Sequence, residues 1–193
     1  VYNDLKPANI MAVGSDVKLI DVGAVMQADD IDAAIFGTQG FQAPEVAAAG
    51  PSVASDLYTA GRTLAVMILN FVFHSGTYQY ALPGPDTEPL FAQWESLYRF
   101  LLKSTAPHAD DRFQSAAEMA VQLTGVLREI VAVTDRTPRA TRSLVFGGDR
   151  LTALLLDDES MDVDAADWRA LPRLRVDVGD ASAGYLQDID ELD

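Results

Sequence analysis

The sequence predicts a mainly helical domain with one short β-hairpin near its N-terminus and an acidic extension at its C-terminus. Apolar residues recur at helical spacing in three segments, over about 55–73, 89–104 and 115–133. A β-like run, 17–20, precedes a turn near the start of the chain. The extension, 151–193, contains 12 acidic and 3 basic side chains.

The first elements are expected to be short. Residues 17–20 run into a turn at 21–23, so we expect a two-stranded hairpin around residues 10–20. Residues 24–54 are rich in glycine and proline, and this composition predicts loops.

Three helices are expected to follow. Either Ser55 or Asp56 is predicted to cap the first, which runs to about residue 73 and is apolar on most faces, hence central and buried. A loop over 74–88 precedes the second helix. Ser115 and Glu118 have the spacing of a capping box that opens the third.

Composition predicts three regions: a folded domain over 1–133, a linker over 134–150 and the acidic extension over 151–193. The net charge of -15 argues against a nucleic-acid partner, because phosphate repels such a surface. The longest apolar run, 64–73, is about half the ~20 residues of a membrane span, so no membrane partner is expected. The chain has no cysteine, which excludes disulfides and thiolate metal sites.

Residues at the start of the chain have the pattern of a phosphoryl-transfer site. Asp4 and Asn9 have the spacing D-x-x-x-x-N, and Asp21 follows the predicted strand. A carboxylate at Asp4 can accept the proton of a substrate hydroxyl, while oxygens of Asn9 and Asp21 can hold Mg²⁺ against nucleotide phosphates. Lys6 can neutralise charge on the transferred group. Each feature alone is weak evidence for a phosphoryl-transfer site, but their combination in this order is strong evidence.

In this order the residues resemble the C-terminal lobe of a eukaryotic-like serine/threonine protein kinase. The resemblance implies ATP and Mg²⁺ as cofactors and a protein as substrate. It implies that Asp4 is the catalytic base, with Lys6 beside it, and that Asn9 and Asp21 bind the metal and the nucleotide. Lys6, two residues after Asp4, is typical of the serine/threonine class.

The resemblance continues downstream. Residues 37–45 are similar to the end of a kinase activation segment, which implies that Thr38 hydrogen-bonds the catalytic base. Asp56 resembles the aspartate that holds the catalytic-loop backbone, and Glu45 and Arg112 resemble a structural ion pair. Small-molecule antibiotic kinases share the D-x-x-x-x-N spacing but do not usually have the Lys-Pro pair or the Ala-Pro-Glu tripeptide found here.

Residues 2–7 and 122–129 are similar to the actinobacterial protein kinase G family. That family has a rubredoxin-like metal domain before the kinase domain and a helical-repeat domain after it. The resemblance implies that both are missing here and that 151–193 leads toward the second. It also implies a cytoplasmic protein whose substrates include a small forkhead-associated regulator of central nitrogen metabolism, although no residue here indicates that substrate.

The catalytic loop begins at the fourth residue, so we expect the N-terminal lobe to be missing from this chain. The sequence has no G-x-G-x-x-G motif and no lysine in a Val-Ala-Ile-Lys-like strand. We expect the isolated chain to bind ATP very weakly and to have no measurable turnover. Ile10 and Ile20 are expected near the surface that the lobe would cover. The alternative function is a non-catalytic interaction module or a truncated gene product.

Two positions depart from the common kinase pattern. Asn3 stands where most regulated kinases have an arginine that binds an activation-loop phosphate. Residues 24–37 contain no Ser, Thr or Tyr, so we expect no control by phosphorylation of this segment. Val22 replaces the usual phenylalanine of the metal-binding turn, which we expect to weaken aromatic packing there.

Overall fold

The computed structural model describes residues 1–14, 16–27, 30, 35–138, 175–176 and 183. Most of the predicted linker and nearly all of the predicted acidic extension lie outside these ranges, so both stay predictions. Residues 1–138 form one unit. None of the helices described is long and apolar enough to span a membrane.

The N-terminal part of the chain forms the predicted antiparallel hairpin. Strand β1 (Ile10–Val13) pairs with strand β2 (Asp16–Leu19), and Ile10 lies opposite Leu19. Ile20 is 38% exposed and Ile10 is half-buried, in agreement with their expected position near the surface. The hairpin exposes further apolar side chains: Met11, Val13, Val17 and Leu19.

A short helix and the long central helix follow. Helix α1 (Val46–Ala49) lies inside the segment predicted to be loop. Helix α2 (Val53–Ile68) begins before the predicted cap, because Ser52 and Ser55 form a reciprocal capping box in which each hydroxyl accepts the other's backbone N–H. The predicted end near residue 73 is also wrong, because Leu69 has an extended backbone with φ -119° and ψ 153°.

The predicted helix over 89–104 is two helices. Helix α3 (Pro89–Gln93) and helix α4 (Glu95–Ser104) are separated by Trp94, whose φ of -126° and ψ of 75° are not helical. The periodic apolar residues continue across the break because both helices pack on the same core.

Helix α5 (Ala116–Asp135) begins where the sequence predicted, but only half of its capping box is formed. The Ser115 side chain accepts the backbone N–H of Glu118 at 3.1 Å. The carboxylate of Glu118 accepts the N–H of Gln114 at 3.0 Å rather than that of Ser115. This carboxylate also pairs with Lys103 of α4 at 2.9 Å, so one side chain caps α5 and ties it to its neighbour.

The hydrophobic core lies between α2, α4 and α5, with α3 against α4. Gly61 of α2 permits the close approach of α4, because a Cβ at this position would lie 2.5 Å from the Cβ of Ser104. The prediction that α2 is central and buried is therefore confirmed. The buried members of this core are Leu57, Ala65, Leu69, Phe91, Leu97, Phe100, Leu101, Phe113, Met119 and Val126.

Candidate active site

Two side chains of α2 hold the backbone of the loop that contains Asp4. The carboxylate of Asp56 accepts the N–H of Tyr2 at 2.7 Å and that of Asn3 at 2.6 Å. The hydroxyl of Thr63 donates to the carbonyl of Leu5 at 2.7 Å. The loop is therefore tied to the central helix on both sides of Asp4, and the contact predicted for Asp56 is present.

Asp4, Lys6 and Thr38 form a hydrogen-bonded triangle. The Thr38 hydroxyl donates to Oδ1 of Asp4 at 2.6 Å, across 34 residues of sequence. The ammonium of Lys6 donates to Oδ2 of Asp4 at 2.7 Å and to the Thr38 oxygen at 2.8 Å. The structure thus brings together the three residues for which catalytic roles were predicted, and the roles themselves stay predictions.

Asn9 joins the same cluster through its amide nitrogen. Its Nδ2 donates to the carbonyl of Asp4 at 2.9 Å and to Oδ2 of Asp4 at 3.1 Å. Because the amide nitrogen is committed to Asp4, the amide oxygen is the atom with which Asn9 could bind a hard cation.

The hydrogen bonds around Asp4 determine its ionisation. Burial alone would raise the pKa of this carboxyl, but the hydrogen bonds from Lys6, Thr38 and Asn9 and the charge of Lys6 outweigh it. The net effect lowers the pKa of Asp4 below its ordinary value of 3.8. The group is therefore an ionised hydrogen-bond acceptor at neutral pH.

Asp21 lies beside this cluster in a left-handed turn with φ 70°. Its carbonyl accepts the hydroxyl of Tyr2 at 2.7 Å, and the N–H of the adjacent Ile20 donates to the carbonyl of Asn9 at 3.0 Å. The Asp21 carboxylate accepts the N–H of Gly23 at 3.2 Å. Backbone bonds thus bring the turn of Asp21 to Asn9, the other predicted metal ligand.

The oxygens of Asn9 and Asp21 are suited to Mg²⁺. Mg²⁺ commonly takes one or two protein oxygens and completes its octahedron with water and phosphate. Within the described residues no group of three or more His, Cys, Asp or Glu side chains could hold a metal ion. A site of this two-ligand kind does not require such a group.

Comparison with known protein families shows the family of this chain. Residues 1–124 match the family described as "Protein kinase domain". The chain belongs to this family. The family predicted from the sequence is therefore confirmed, and the helix-rich architecture with its hairpin is consistent with a kinase domain.

Individual relatives lie within this kinase family. The serine/threonine-protein kinase PknG of Mycobacterium leprae is 47% identical over 152 residues, which cover 79% of this chain and 20% of that protein. PknG of Mycolicibacterium smegmatis is 45% identical over 151 residues, with coverage of 78% and 20%. PknB of Mycobacterium tuberculosis H37Rv is 32% identical over 145 residues, with coverage of 65% and 23%. The chain thus spans about a fifth of the length of the PknG relatives, and its predicted similarity to the kinase G family is confirmed.

The ion pair predicted for this kinase domain is also present. Arg112 donates from both terminal nitrogens to the two carboxylate oxygens of Glu45, each at 2.7 Å. The guanidinium also lies over the ring of Tyr58, 4.8 Å from its centroid. Burial raises the pKa of this tyrosine to about 12, against the opposing charges of Arg62 and Arg112.

A second buried arginine, Arg62 of α2, was not predicted from the sequence. This side chain is 0% exposed, and burial lowers its pKa. A charged residue in a helix that the sequence predicts to be central and buried was a signal that sequence alone could have supplied. The guanidinium ties the end of the activation segment to the loop after α2 through five backbone carbonyls: Gly40, Phe73, Tyr78, Gln79 and Ala81.

Proposed function

We propose that this chain supplies the catalytic loop and metal-binding turn of a serine/threonine protein kinase that transfers the γ-phosphate of ATP to protein hydroxyls. The observation that supports this most is the triangle of Asp4, Lys6 and Thr38. The triangle fixes a carboxylate that can orient an acceptor hydroxyl beside an ammonium that can neutralise charge on the transferred phosphoryl group.

Asp4 acts mainly by orienting the acceptor. Phosphoryl transfer passes through a loose transition state, so the incoming hydroxyl needs positioning more than strong deprotonation. A carboxylate with a lowered pKa is a weak base but stays ionised and accepts the hydrogen bond of a Ser or Thr hydroxyl. Lys6 supplies positive charge beside that hydroxyl, and Thr38 holds the carboxylate in a fixed rotamer.

Asn9 and Asp21 are the residues that would hold Mg²⁺. The bound ion would neutralise charge on the nucleotide phosphates. In this proposal the chain contributes the oxygen of Asn9, whose orientation is set by the two bonds from Nδ2 to Asp4.

We further propose that the isolated 193-residue chain has no measurable turnover. Its sequence contains no G-x-G-x-x-G motif to cover the phosphates, and positioning of the nucleotide supplies much of the rate of such enzymes. The alternative, a non-catalytic interaction module, draws support from the exposed apolar side chains of the hairpin, among them Val17 at 70% exposure.

Substrate and location rest on similarity alone. The PknG and PknB relatives are named serine/threonine-protein kinases, which favours a protein acceptor. A forkhead-associated regulator as substrate and a cytoplasmic location are proposals that follow from the resemblance to the kinase G family.

The acceptor residue tests this function. The full-length protein that contains these residues is incubated with γ-labelled ATP and Mg²⁺, together with peptides that differ only in a Ser, Thr or Tyr acceptor. We expect label on the Ser and Thr peptides and at most about 1% as much on the Tyr peptide, because Lys6 and Thr38 crowd the base. Equal labelling of the Tyr peptide would contradict the assignment, and the isolated chain run in parallel tests its predicted inactivity.

A further inference from the structure

Asn3, the residue before Asp4, is nearly fully buried at 1% exposure. Its φ of 57° lies in the left-handed region, which asparagine tolerates better than most residues. Its Nδ2 donates to the carbonyl of Phe36 at 2.5 Å. Its Oδ1 has no hydrogen-bond partner among the described residues. Within the described residues, the amide N–H is therefore the only part of this side chain that is hydrogen-bonded, and it binds the backbone two residues before Thr38.

Neighbouring residues of the catalytic loop thus hold two points of that segment. Asn3 holds the backbone at Phe36, and Asp4 holds the hydroxyl of Thr38 at 2.6 Å. Gly37 lies between the two points, where a Cβ would come within 2.6 Å of the Gln42 amide and 3.3 Å of the Asn3 amide. A side chain at position 37 would therefore have to displace the flexible end of Gln42 and would press on the amide of Asn3.

We propose that Asn3 is a positioning residue that holds residues 36–38 in place, so that Thr38 meets Asp4 without a phosphate. An arginine in this place would need an anion on the segment, whereas an amide donor needs only a carbonyl. The segment 24–37 offers no hydroxyl to phosphorylate, so an arginine–phosphate pair cannot form there. The neutral hydrogen bond from Asn3 to the Phe36 carbonyl, here called the clamp, takes its place. The inference rests on the proposed kinase function for its kinetic consequence, though not for its structural one.

Asn3→Asp is the sharpest variant. Aspartate has the same shape and also tolerates a positive φ, but its carboxylate has no N–H and would face the Phe36 carbonyl with negative charge. Asn3→Gly is the second variant, because it keeps the left-handed backbone and removes the side chain. Thr105→Ala is the control: it removes a buried hydrogen bond, to the Leu101 carbonyl at 2.8 Å, that lies in another part of the domain.

Hydrogen exchange in the full-length protein tests the clamp itself. The amides of Phe41 and Gln42 both donate to the carbonyl of Thr38, at 3.1 and 3.3 Å, and therefore report on the segment. We expect both Asn3 variants to increase exchange of these amides by about tenfold relative to wild type, and Thr105→Ala to leave it unchanged. Wild-type exchange in Asn3→Asp would overturn the inference.

Steady-state kinetics test the consequence. We expect kcat/KM for a protein acceptor to fall by about tenfold in Asn3→Asp, mainly through a higher KM for that acceptor and with the KM for ATP unchanged, because one hydrogen bond that positions the acceptor site is lost. A general loss of folded enzyme would lower kcat and leave both KM values unaltered. If the wild-type protein shows no Asp4-dependent transfer, the kinase function fails, while the exchange measurement still decides on the clamp. Unchanged kinetics in Asn3→Asp would refute the positioning role.

Discussion

Arg112 and Glu45 are 67 residues apart in sequence, yet they meet in a two-bond fork with both N–H···O distances at 2.7 Å. The guanidinium is 0% exposed and the carboxylate side chain 25% exposed. Arg112 also donates to three carbonyls, of Ala54, Ala106 and Pro107. One side chain therefore ties the start of α1 to the start of α2 and to the turn after α4.

Arg112→Met is expected to lower the free energy of unfolding by about 3 kcal/mol, because the Glu45 carboxylate and three carbonyls lose their donor at once. Urea denaturation followed by circular dichroism measures this. Arg99→Gln is the control, since its pair with Glu95 is more than two-thirds exposed on both sides and should contribute less than about 0.5 kcal/mol. Equal effects of the two variants would contradict a structural role for the buried pair.

The same pair predicts how stability depends on pH. Burial raises the pKa of Glu45, but the hydrogen bonds and charge of Arg112 outweigh it, so the folded-state pKa lies below its ordinary value of 4.5. Such a group contributes stability above its unfolded pKa and loses it as the pH falls through the folded pKa. We expect the stability difference between wild type and Glu45→Gln to be constant from neutral pH to about pH 5, and to shrink below about pH 4.5. A difference that persists unchanged to pH 3 would argue against the pair as its source.

Arg62→Met is expected to destabilise the domain by about 3 kcal/mol, because a fully buried guanidinium and its bonds to five backbone carbonyls are lost. Arg62→Lys should recover part of that loss, since an ammonium has three donors in place of five. Denaturant titration measures both, and Arg128→Met serves as an exposed control with a change near zero. If Arg62→Met were as stable as the control, the bonds of Arg62 to these carbonyls would not stabilise the domain.

Ser52→Ala is expected to cost about 1 kcal/mol of stability, because it removes the hydroxyl that accepts the Ser55 N–H at the start of α2. Ser96→Ala is the matched control: the same atoms are removed, but the Ser96 hydroxyl has no partner among the described residues. Thermal or urea unfolding distinguishes the two, and a smaller loss in Ser52→Ala than in Ser96→Ala would show that the cap is not stabilising.

The sequence predicted those contacts that a spacing or a family motif implies. Asp4, Asn9 and Thr38 meet as expected, and Arg112 pairs with Glu45. These predictions succeed because the spacing D-x-x-x-x-N and the resemblance to protein kinases each name both partners of a contact.

Element boundaries and irregular contacts were harder to predict. The break at Trp94 is invisible to periodicity, because both helices bury the same side of the chain. The early start of α2 depends on a reciprocal bond between Ser52 and Ser55, which caps the helix in place of Asp56. The Asp56 carboxylate instead accepts a backbone N–H of the loop that contains Asp4. The contact of Asn3 with Phe36 joins two segments that are distant in sequence, and no sequence motif indicates it.

Replacement of Asp4 tests the central claim most directly. Asn has the same shape as Asp but no negative charge, so it cannot orient an acceptor hydroxyl in the same way. In the full-length protein, with ATP and Mg²⁺ saturating, we expect Asp4→Asn to reduce phosphoryl transfer to a Thr peptide by at least about 100-fold. Asp86→Asn, which changes an exposed loop aspartate, should retain the wild-type rate. Transfer by Asp4→Asn at the wild-type rate would contradict the assignment of this loop as the catalytic centre.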